Sequence, residues 1–372
     1  MRATDINPQQ YEKLLEDKAN EVRTTFSELT MPQLEVFDSP KLNYRMRAEF
    51  RVWHDGDDLY HIMFDQSTKE KYRVYQFPQA SIIINEAMIA LMSYLRHNTV
   101  LRSKLFQVDY LSTLNGELVI SLLYHKSLEQ DWYKEAEQLA ESLLPRKKIN
   151  VIGRARKQKH IIGQDFVTEQ LPVGNRTYTF KQIENSFTQP NAAVNSKMIA
   201  WALDVSKPQS QAPNKDMLEL YCGLGNFTIP LAENFDKVLA TEISKSSVNA
   251  ANDNMLSNKV ENASVVRISS EEFSEAMAGK RQFHRLKDID LNQYQFETIF
   301  VDPPRSGLDS DTLSMVSAYK NILYISCNPN TLFDNLKVLS KTHKVTRFAL
   351  FDQFPYTHHA ECGVYLEKLD SI

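Results

Sequence analysis

The sequence predicts an α/β protein of two parts: a C-terminal doubly wound parallel sheet, preceded by a smaller α+β domain. Three observations carry this. From about residue 185 onward, short apolar runs alternate with helical stretches, the signature of a parallel sheet covered on both faces. The first of those runs leads into a glycine-containing turn at 218–227, LELYCGLGNF, at the end of a strand where open α/β sheets bind ligands. In the first half, by contrast, strands follow one another closely, with strict alternation at 44–53 and a hairpin signal at Asn115-Gly116. A chain of 372 residues is too long for one ordinary domain, and the change of pattern near residue 180 sets the expected domains at 1–180 and 181–372.

Composition excludes several classes. A net charge of −4 rules out a uniformly basic nucleic-acid binder but leaves room for a local basic face. No apolar run approaches membrane-spanning length, and the N-terminus MRATDINPQQYEK is too polar for a secretory signal. The expected compartment is the cytoplasm. The three cysteines, Cys222, Cys327 and Cys362, form no C-x-x-C pair. Neither a zinc site, nor an iron–sulfur cluster, nor a disulfide framework is expected.

In chain order, Tyr11, Leu14, Leu15, Ala19, Val22, Phe26 and Leu29 recur at helical spacing, so residues 8–29 read as an amphipathic helix that needs a partner surface, expected on the C-terminal domain. Pro32 and Pro40 break regular structure beyond this helix. Residues 44–53 alternate: Met46, Ala48, Phe50 and Val52 on one face, Arg45, Arg47, Glu49 and Arg51 on the other. This is a half-buried strand with a basic solvent side. Strands come next at 59–64 and 71–76, then a helix at 80–97, the hairpin at 106–124 and a helix at 128–144. The window 145–160 holds Arg146, Lys147, Lys148, Arg154, Arg156, Lys157 and Lys159 and no acid. It reads either as a solvated loop and strand edge or as a phosphate-contacting stripe. After a helix at 191–204 and a loop at 206–215, apolar runs at 217–221, 238–241, 264–268, 298–302, 322–325 and 345–351 supply the parallel sheet. The last of these and 361–368 lack an intervening helix and are expected to pair antiparallel.

Three segments carry chemistry. Gly223 and Gly225 let the backbone approach a ligand, and Glu242, ending the next strand, suits a ribose diol. The full G-x-G-x-x-G fingerprint is absent, which favours S-adenosylmethionine over a pyrophosphate-bearing dinucleotide. Asp302, within 301–307, points outward from a strand end, or serves only to cap a rigid loop. Cys327 ends a buried strand, within 324–329. Taken alone, it reads more readily as a packing cysteine than as a nucleophile. His358 and His359 read as positioning or packing residues, since no third metal ligand accompanies them.

The stretches ENSFTQPNAA (184–193), LELYCGLGNF, ATEISKSSV (240–248), IFVDPPRSGLD (299–309), YISCNP (324–329), FDQFPYTHHAEC (351–362) and the N-terminal 44–66 resemble the RNA uracil-C5 methyltransferase family, over nearly the whole chain. The resemblance is strongest to its tRNA-acting members, since the extra N-terminal barrel and four-cysteine cluster of the ribosomal RNA branch are not seen. It implies a class I S-adenosylmethionine-dependent methyltransferase domain, an N-terminal RNA-binding domain, and methylation of T-loop uridine 54 of tRNA. Transfer-messenger RNA and other tRNA-like RNAs become further candidate substrates, and no protein partner is implied. It also implies Cys327 as nucleophile, Glu361 as proton acceptor, and Gln189, Tyr221, Asn226, Glu242 and Asp302 as donor-binding residues. Phe187 and Arg305 are candidates for holding the RNA or the reacting base. Phe106 and the Arg45, Arg47 and Arg51 strand are candidates for gripping the opened loop. The competing readings are a ribosomal RNA uracil methyltransferase, a non-catalytic RNA-binding scaffold and a nicotinamide-dependent dehydrogenase. Intact Cys327 and Glu361 argue against the scaffold, and the incomplete glycine fingerprint argues against the dehydrogenase.

Overall fold

A computed structural model describes residues 2, 4–65, 67–144, 147–210 and 213–369. Pro145 and Arg146 of the basic window, Gln211 and Ala212 of the 206–215 loop, and Gln66 lie outside the described residues. The chain divides into two compact units. The first comprises Met1–Gln10, Pro40–Leu171 and Lys181–Ala192; the second comprises Tyr11–Ser39, Pro172–Phe180 and Ala193–Ile372. The chain therefore passes between units several times rather than at one boundary near residue 180.

In the first unit a seven-stranded sheet runs in the order Lys71–Val74, Asp58–Phe64, Arg47–Asp55, Leu105–Ser112, Leu118–Tyr124, Ile149–Ala155, Gln158–Ile162. Only Leu118–Tyr124 and Ile149–Ala155 pair in parallel, joined through the helix Gln130–Ser142. The alternation of 44–53 does what a period of two must: Ala48, Phe50 and Val52 enter a core with Ile84, Met88 and Leu91 of the helix Ile82–Arg96. Directly opposed residues share a face, so the other face carries a row across the sheet: Arg73, Ile62, Arg51, Gln107, Leu123, Arg154, Lys159. The 145–160 window is less loop-like than its charge implied. Residues 149–152 are buried and form part of an interior strand, and the exposed cations are Lys147, Lys148, Arg156, Lys157 and Lys159 at the strand ends and turn. A further hairpin, Phe166–Val173 with Arg176–Ile183, has no counterpart among the strands the sequence predicts.

Among the described residues, the large sheet of the second unit has eight strands: β1 (Leu34–Phe37), β2 (Asp216–Leu220), β3 (Val238–Glu242), β4 (Ala263–Arg267), β5 (Phe296–Val301), β6 (Asn321–Ser326), β7 (His343–Phe351) and β8 (Glu361–Lys368). They form one sheet in the order β1-β7-β8-β6-β5-β2-β3-β4. All pairings are parallel except those of β8, which runs antiparallel to both β6 and β7. The doubly wound sheet and its antiparallel closing pair are as the sequence predicts. Strand β1 is the surprise. It lies between the two prolines expected to break structure and pairs with β7 from Leu34↔Phe348 to Phe37↔Phe351; as an edge strand it tolerates flanking prolines.

The N-terminal helix, Tyr11–Thr25, belongs to this unit, and Ala19, Val22 and Phe26 join its core. Phe26 lies edge-on to Phe333 and Phe348, with ring centroids 5.9 and 5.0 Å away. One residue of the predicted apolar face is misplaced. Leu14 is 37% exposed, while Lys18 is buried on that face at 6%. The buried line follows Tyr11, Lys18, Val22 and Ala19, and rotates Leu14 toward solvent.

Candidate functional site

The carboxyl edge of the second sheet brings the predicted chemical residues together. The β2 turn comes first. Tyr221 takes φ +62°, and Gly223 and Gly225 take +57° and +85°. A Cβ on Gly225 would come within 3.1 Å of Ile229, whereas one on Gly223 would meet nothing within 4 Å. The first glycine therefore faces open space, as a cradle for a ligand must. Glu242, ending β3, is held by backbone donors: Gly223 N–H to Oε2 (3.0 Å) and Ser244 N–H to Oε1 (2.7 Å). The Tyr221 hydroxyl accepts from Ser270 Oγ at 2.7 Å. Asn226 and Asn195 exchange amide hydrogen bonds of 2.8 and 2.9 Å, which fixes the start of the following helix against Ala192–Val205.

Asp302 comes directly after β5, half-buried. Its Asp-Pro-Pro-Arg loop is tied to the Cys327 loop: Asn328 Nδ2 donates to the Arg305 carbonyl at 3.0 Å, and Asn335 Oδ1 accepts both Leu308 N–H (3.1 Å) and Tyr324 OH (2.7 Å). Cys327 is presented between the end of β6 and the helix Pro329–Leu339, whose N-cap is Asn328. Of the three thiols it alone is not buried. The last β6–β8 pair is Ser326↔Cys362. Cys327 and Glu361 therefore sit one position beyond it, on adjoining strand ends.

The electrostatics tie these residues into one cluster. Burial, then Glu361, then Asp302 push the Cys327 thiol up to about 11, against a smaller downward pull from Arg305. Burial and Asp302 raise Glu361, 3% exposed, well above the usual carboxylate range. Removal from water also raises Asp302, to about 7. Burial and two acids thus outweigh one arginine at this thiol. A fourth member is absent from the residues the motifs single out. Glu219, on β2, is 1% exposed, has one carboxylate oxygen without a partner, and is raised to about 8 by burial with a contribution from Asp302. Its signal was a lone acid inside an apolar strand. Glu219, Asp302, Cys327 and Glu361 thus lie on or at the ends of four neighbouring strands, β2, β5, β6 and β8. Such a concentration of reluctant acids is relieved by a bound cation.

Most of the remaining candidates fall in the first unit. Phe187 is 74% exposed on the 181–192 segment, which also carries Gln189. Arg47 holds that segment, donating to the carbonyls of Glu184 (3.0 Å) and Ser186 (2.8 Å). Arg45 is likewise turned inward, its Nε donating to the Arg47 carbonyl at 2.8 Å. Two of the three strand arginines are therefore structural, and Arg51 alone is exposed. Its guanidinium lies 5.5 Å from the centre of the half-buried Phe106 ring, which stacks on His125 at 3.9 Å and 13°. Phe106 is no core residue, and His125 was missed because its partner lies one strand away. Arg154 is engaged by Glu184, Lys159 by Asp165 and Lys148 by Glu117, which removes much of the second basic stripe. His359 accepts from Arg305 Nη2 at 2.7 Å. Among the described residues, no group of His, Cys, Asp or Glu is arranged to hold a metal ion, and no helix is long and apolar enough to cross a membrane.

Fold and edge together define a doubly wound α/β protein of the methyltransferase class. The description "tRNA (Uracil-5-)-methyltransferase" belongs to a family model that matches residues 10–369. A tRNA/tmRNA (uracil-C(5))-methyltransferase of Pseudoalteromonas atlantica is 61% identical over 99% of this chain and all of its own length. Proteins of the same name from Shewanella amazonensis and Vibrio cholerae are 58% and 55% identical over the same shares. The chain belongs to the tRNA (uracil-5-)-methyltransferase family. A Pyrococcus abyssi tRNA (uracil-54, C5)-methyltransferase, solved with S-adenosyl-L-homocysteine, has the same fold at a TM-score of 0.73 and 20% identity, over 96% of this chain and 83% of that one.

Proposed function

We propose that this protein transfers a methyl group from S-adenosylmethionine to C5 of T-loop uridine 54 in tRNA, giving 5-methyluridine through a covalent Cys327 adduct at uracil C6. The observation that carries the reading is the presence of Cys327, Glu361 and Asp302 on adjoining strand ends, close enough to perturb one another. The donor fits the residues present. Its cationic sulfonium and ammonium suit the acids, Glu242 is oriented for the ribose hydroxyls, and the open space above Gly223 leaves room for it. Tyr221, Asn226, Glu242 and Asp302 would hold it. When bound, it supplies an electrophilic methyl group.

Cys327, as thiolate, adds to C6, and the electrons of the C5–C6 double bond move toward the C4 carbonyl. C5 becomes nucleophilic and forms its bond to the methyl carbon as the methyl–sulfur bond breaks, the electron pair departing on sulfur as a neutral thioether. Glu361, as carboxylate, takes the C5 proton; the double bond re-forms and the thiolate leaves. The base must first leave its stack, at a cost of about a few kcal/mol. The stacked Phe106–His125 pair with Arg51, and exposed Phe187, offer surfaces for the opened loop. The tRNA T-arm is thus the expected partner, and tmRNA is a second substrate consistent with the names of the relatives.

RNA carrying 5-fluorouridine at position 54 tests the reading, because fluorine cannot leave as a cation. A denaturation-resistant adduct on the Cys327 peptide is expected. Its absence with a competent substrate refutes the covalent route.

A further inference from the structure

We propose that Lys18, on the N-terminal helix, is a positioning residue for the loop that delivers Glu361. The proposal rests on the reading of Glu361 as base and adds to it a residue 334 positions away from Asp352 in sequence.

A lysine on the buried face of a helix needs compensation. Lys18 Nζ donates to Asp352 Oδ1 at 2.6 Å and to the Phe354 carbonyl at 2.9 Å, and Asp352 is 1% exposed. Asp352 opens the loop between β7 and β8, and its N–H donates to the Phe37 carbonyl at 2.9 Å. The Phe354 carbonyl accepts a second bond, from Thr357 Oγ1 at 2.8 Å. Thr357 Oγ1 in turn accepts from His359 N–H at 3.2 Å. His359 Nδ1 accepts from Arg305 Nη2 at 2.7 Å. One connected path thus runs from the helix, through the loop, to the Asp-Pro-Pro-Arg segment, ending two residues before Glu361. Seven residues before Lys18, on the same helical face, Tyr11 places its ring 5.8 Å from that of Tyr356, whose backbone sits at φ +62°. The helix therefore holds the loop at two points, and the ion pair is buried where an exposed one would serve if only solubility were at stake.

A buried pair is a costly way to gain stability, because replacing both partners with apolar residues is often neutral, whereas removing one is not. The double variant Lys18→Met/Asp352→Leu separates positioning from folding, and Thr357→Val cuts the path at an exposed residue. Both are compared with the parent for turnover, S-adenosylmethionine affinity and the fraction of Cys327–RNA adduct present at steady state. Misplacing the base predicts a roughly tenfold or larger loss of kcat, a rise in steady-state adduct and unchanged donor affinity; Thr357→Ser restores the parent values. Folded Thr357→Val protein with parental kcat and adduct level overturns the proposal, whatever the double variant does. A parent enzyme that forms no adduct with 5-fluorouridine RNA instead overturns the assignment of Cys327 and Glu361, an outcome readable separately.

Discussion

Alkylation of Cys327 in the ligand-free protein measures the central electrostatic claim. The thiol rises from an ordinary 9.0 to about 11. At pH 8 the thiolate fraction thus falls from roughly a tenth to roughly a thousandth, a loss of about a hundredfold. A thiolate of higher basicity is intrinsically more nucleophilic, which returns roughly a factor of ten. The net expectation at pH 8 is alkylation about tenfold slower than at an ordinary exposed cysteine, with a rate still climbing above about pH 10. Iodoacetamide labelling from about pH 7 to about pH 11.5, read by mass on the Cys327 peptide, gives the midpoint; Cys222 and Cys362 are buried and do not compete. Glu361→Gln removes the larger of the two carboxylate contributions, so the midpoint should move down. It should not reach the ordinary 9.0, because burial is the leading cause and remains. A parental midpoint at that ordinary value, or one that Glu361→Gln leaves in place, rules out a thiol held up by burial and by Glu361.

Other residues give further testable outcomes. Glu219 and Asp302 have folded-state values raised to about 8 and about 7 from 4.5 and 3.8. The native state therefore holds protons that the unfolded chain has released, and stability contributed by these groups is lost as pH rises from about 4 to about 8. Glu219→Gln should flatten that decline in thermal melts and stabilise the ligand-free protein at pH 8 by on the order of a few kcal/mol; an unchanged pH slope sinks the assignment. Phe106→Ala should weaken RNA binding by about 1–3 kcal/mol with donor affinity intact, measured by filter binding and calorimetry; equal affinity for RNA would show that the ring contacts no base. Arg47→Ala, which releases the Glu184 and Ser186 carbonyls, should lower RNA affinity without altering the salt dependence of binding, because its guanidinium is engaged inside the protein. A reduced salt slope would make it a phosphate contact instead.

Much of the fold is legible because burial enforces periodicity. The strands of the second sheet fall within a residue or two of the apolar runs, and the alternation of 44–53 gives its burial pattern directly. What escapes is what depends on distant partners. Strand β1 is only four residues long and is defined by β7, far away at the other end of the chain. Within the basic stripe of 145–160, Lys148, Arg154 and Lys159 are paired by Glu117, Glu184 and Asp165, none of them inside the window. Arg45 and Arg47 share the solvent-facing pattern of Arg51, yet only contacts with the 181–192 segment and neighbouring carbonyls reveal that they are inward-bound. The positions of Asp302, Cys327 and Glu361 at strand ends follow from local apolar runs, but their mutual electrostatics do not, since the Cys327 shift depends partly on two acids from other strands.

Two residues that break the apolar pattern locate what the motifs left out. Glu219 interrupts a buried strand and Lys18 interrupts a buried helix face. Both exceptions are ionisable, and a fold does not bury such a group without either pairing its charge or neutralising it. Lys18 carries its own partner, Asp352, within the protein. Glu219 has none for its second oxygen and sits in electrostatic contact with Asp302, itself beside Cys327 and Glu361. The internally compensated charge therefore belongs to the scaffold that holds the loop. The uncompensated one belongs to the side of the site that receives something from outside. An excess of acid at that edge favours a cationic ligand over its neutral product, so the same carboxylates that suppress the thiolate in the ligand-free protein would select the charged methyl donor and release the uncharged thioether left behind.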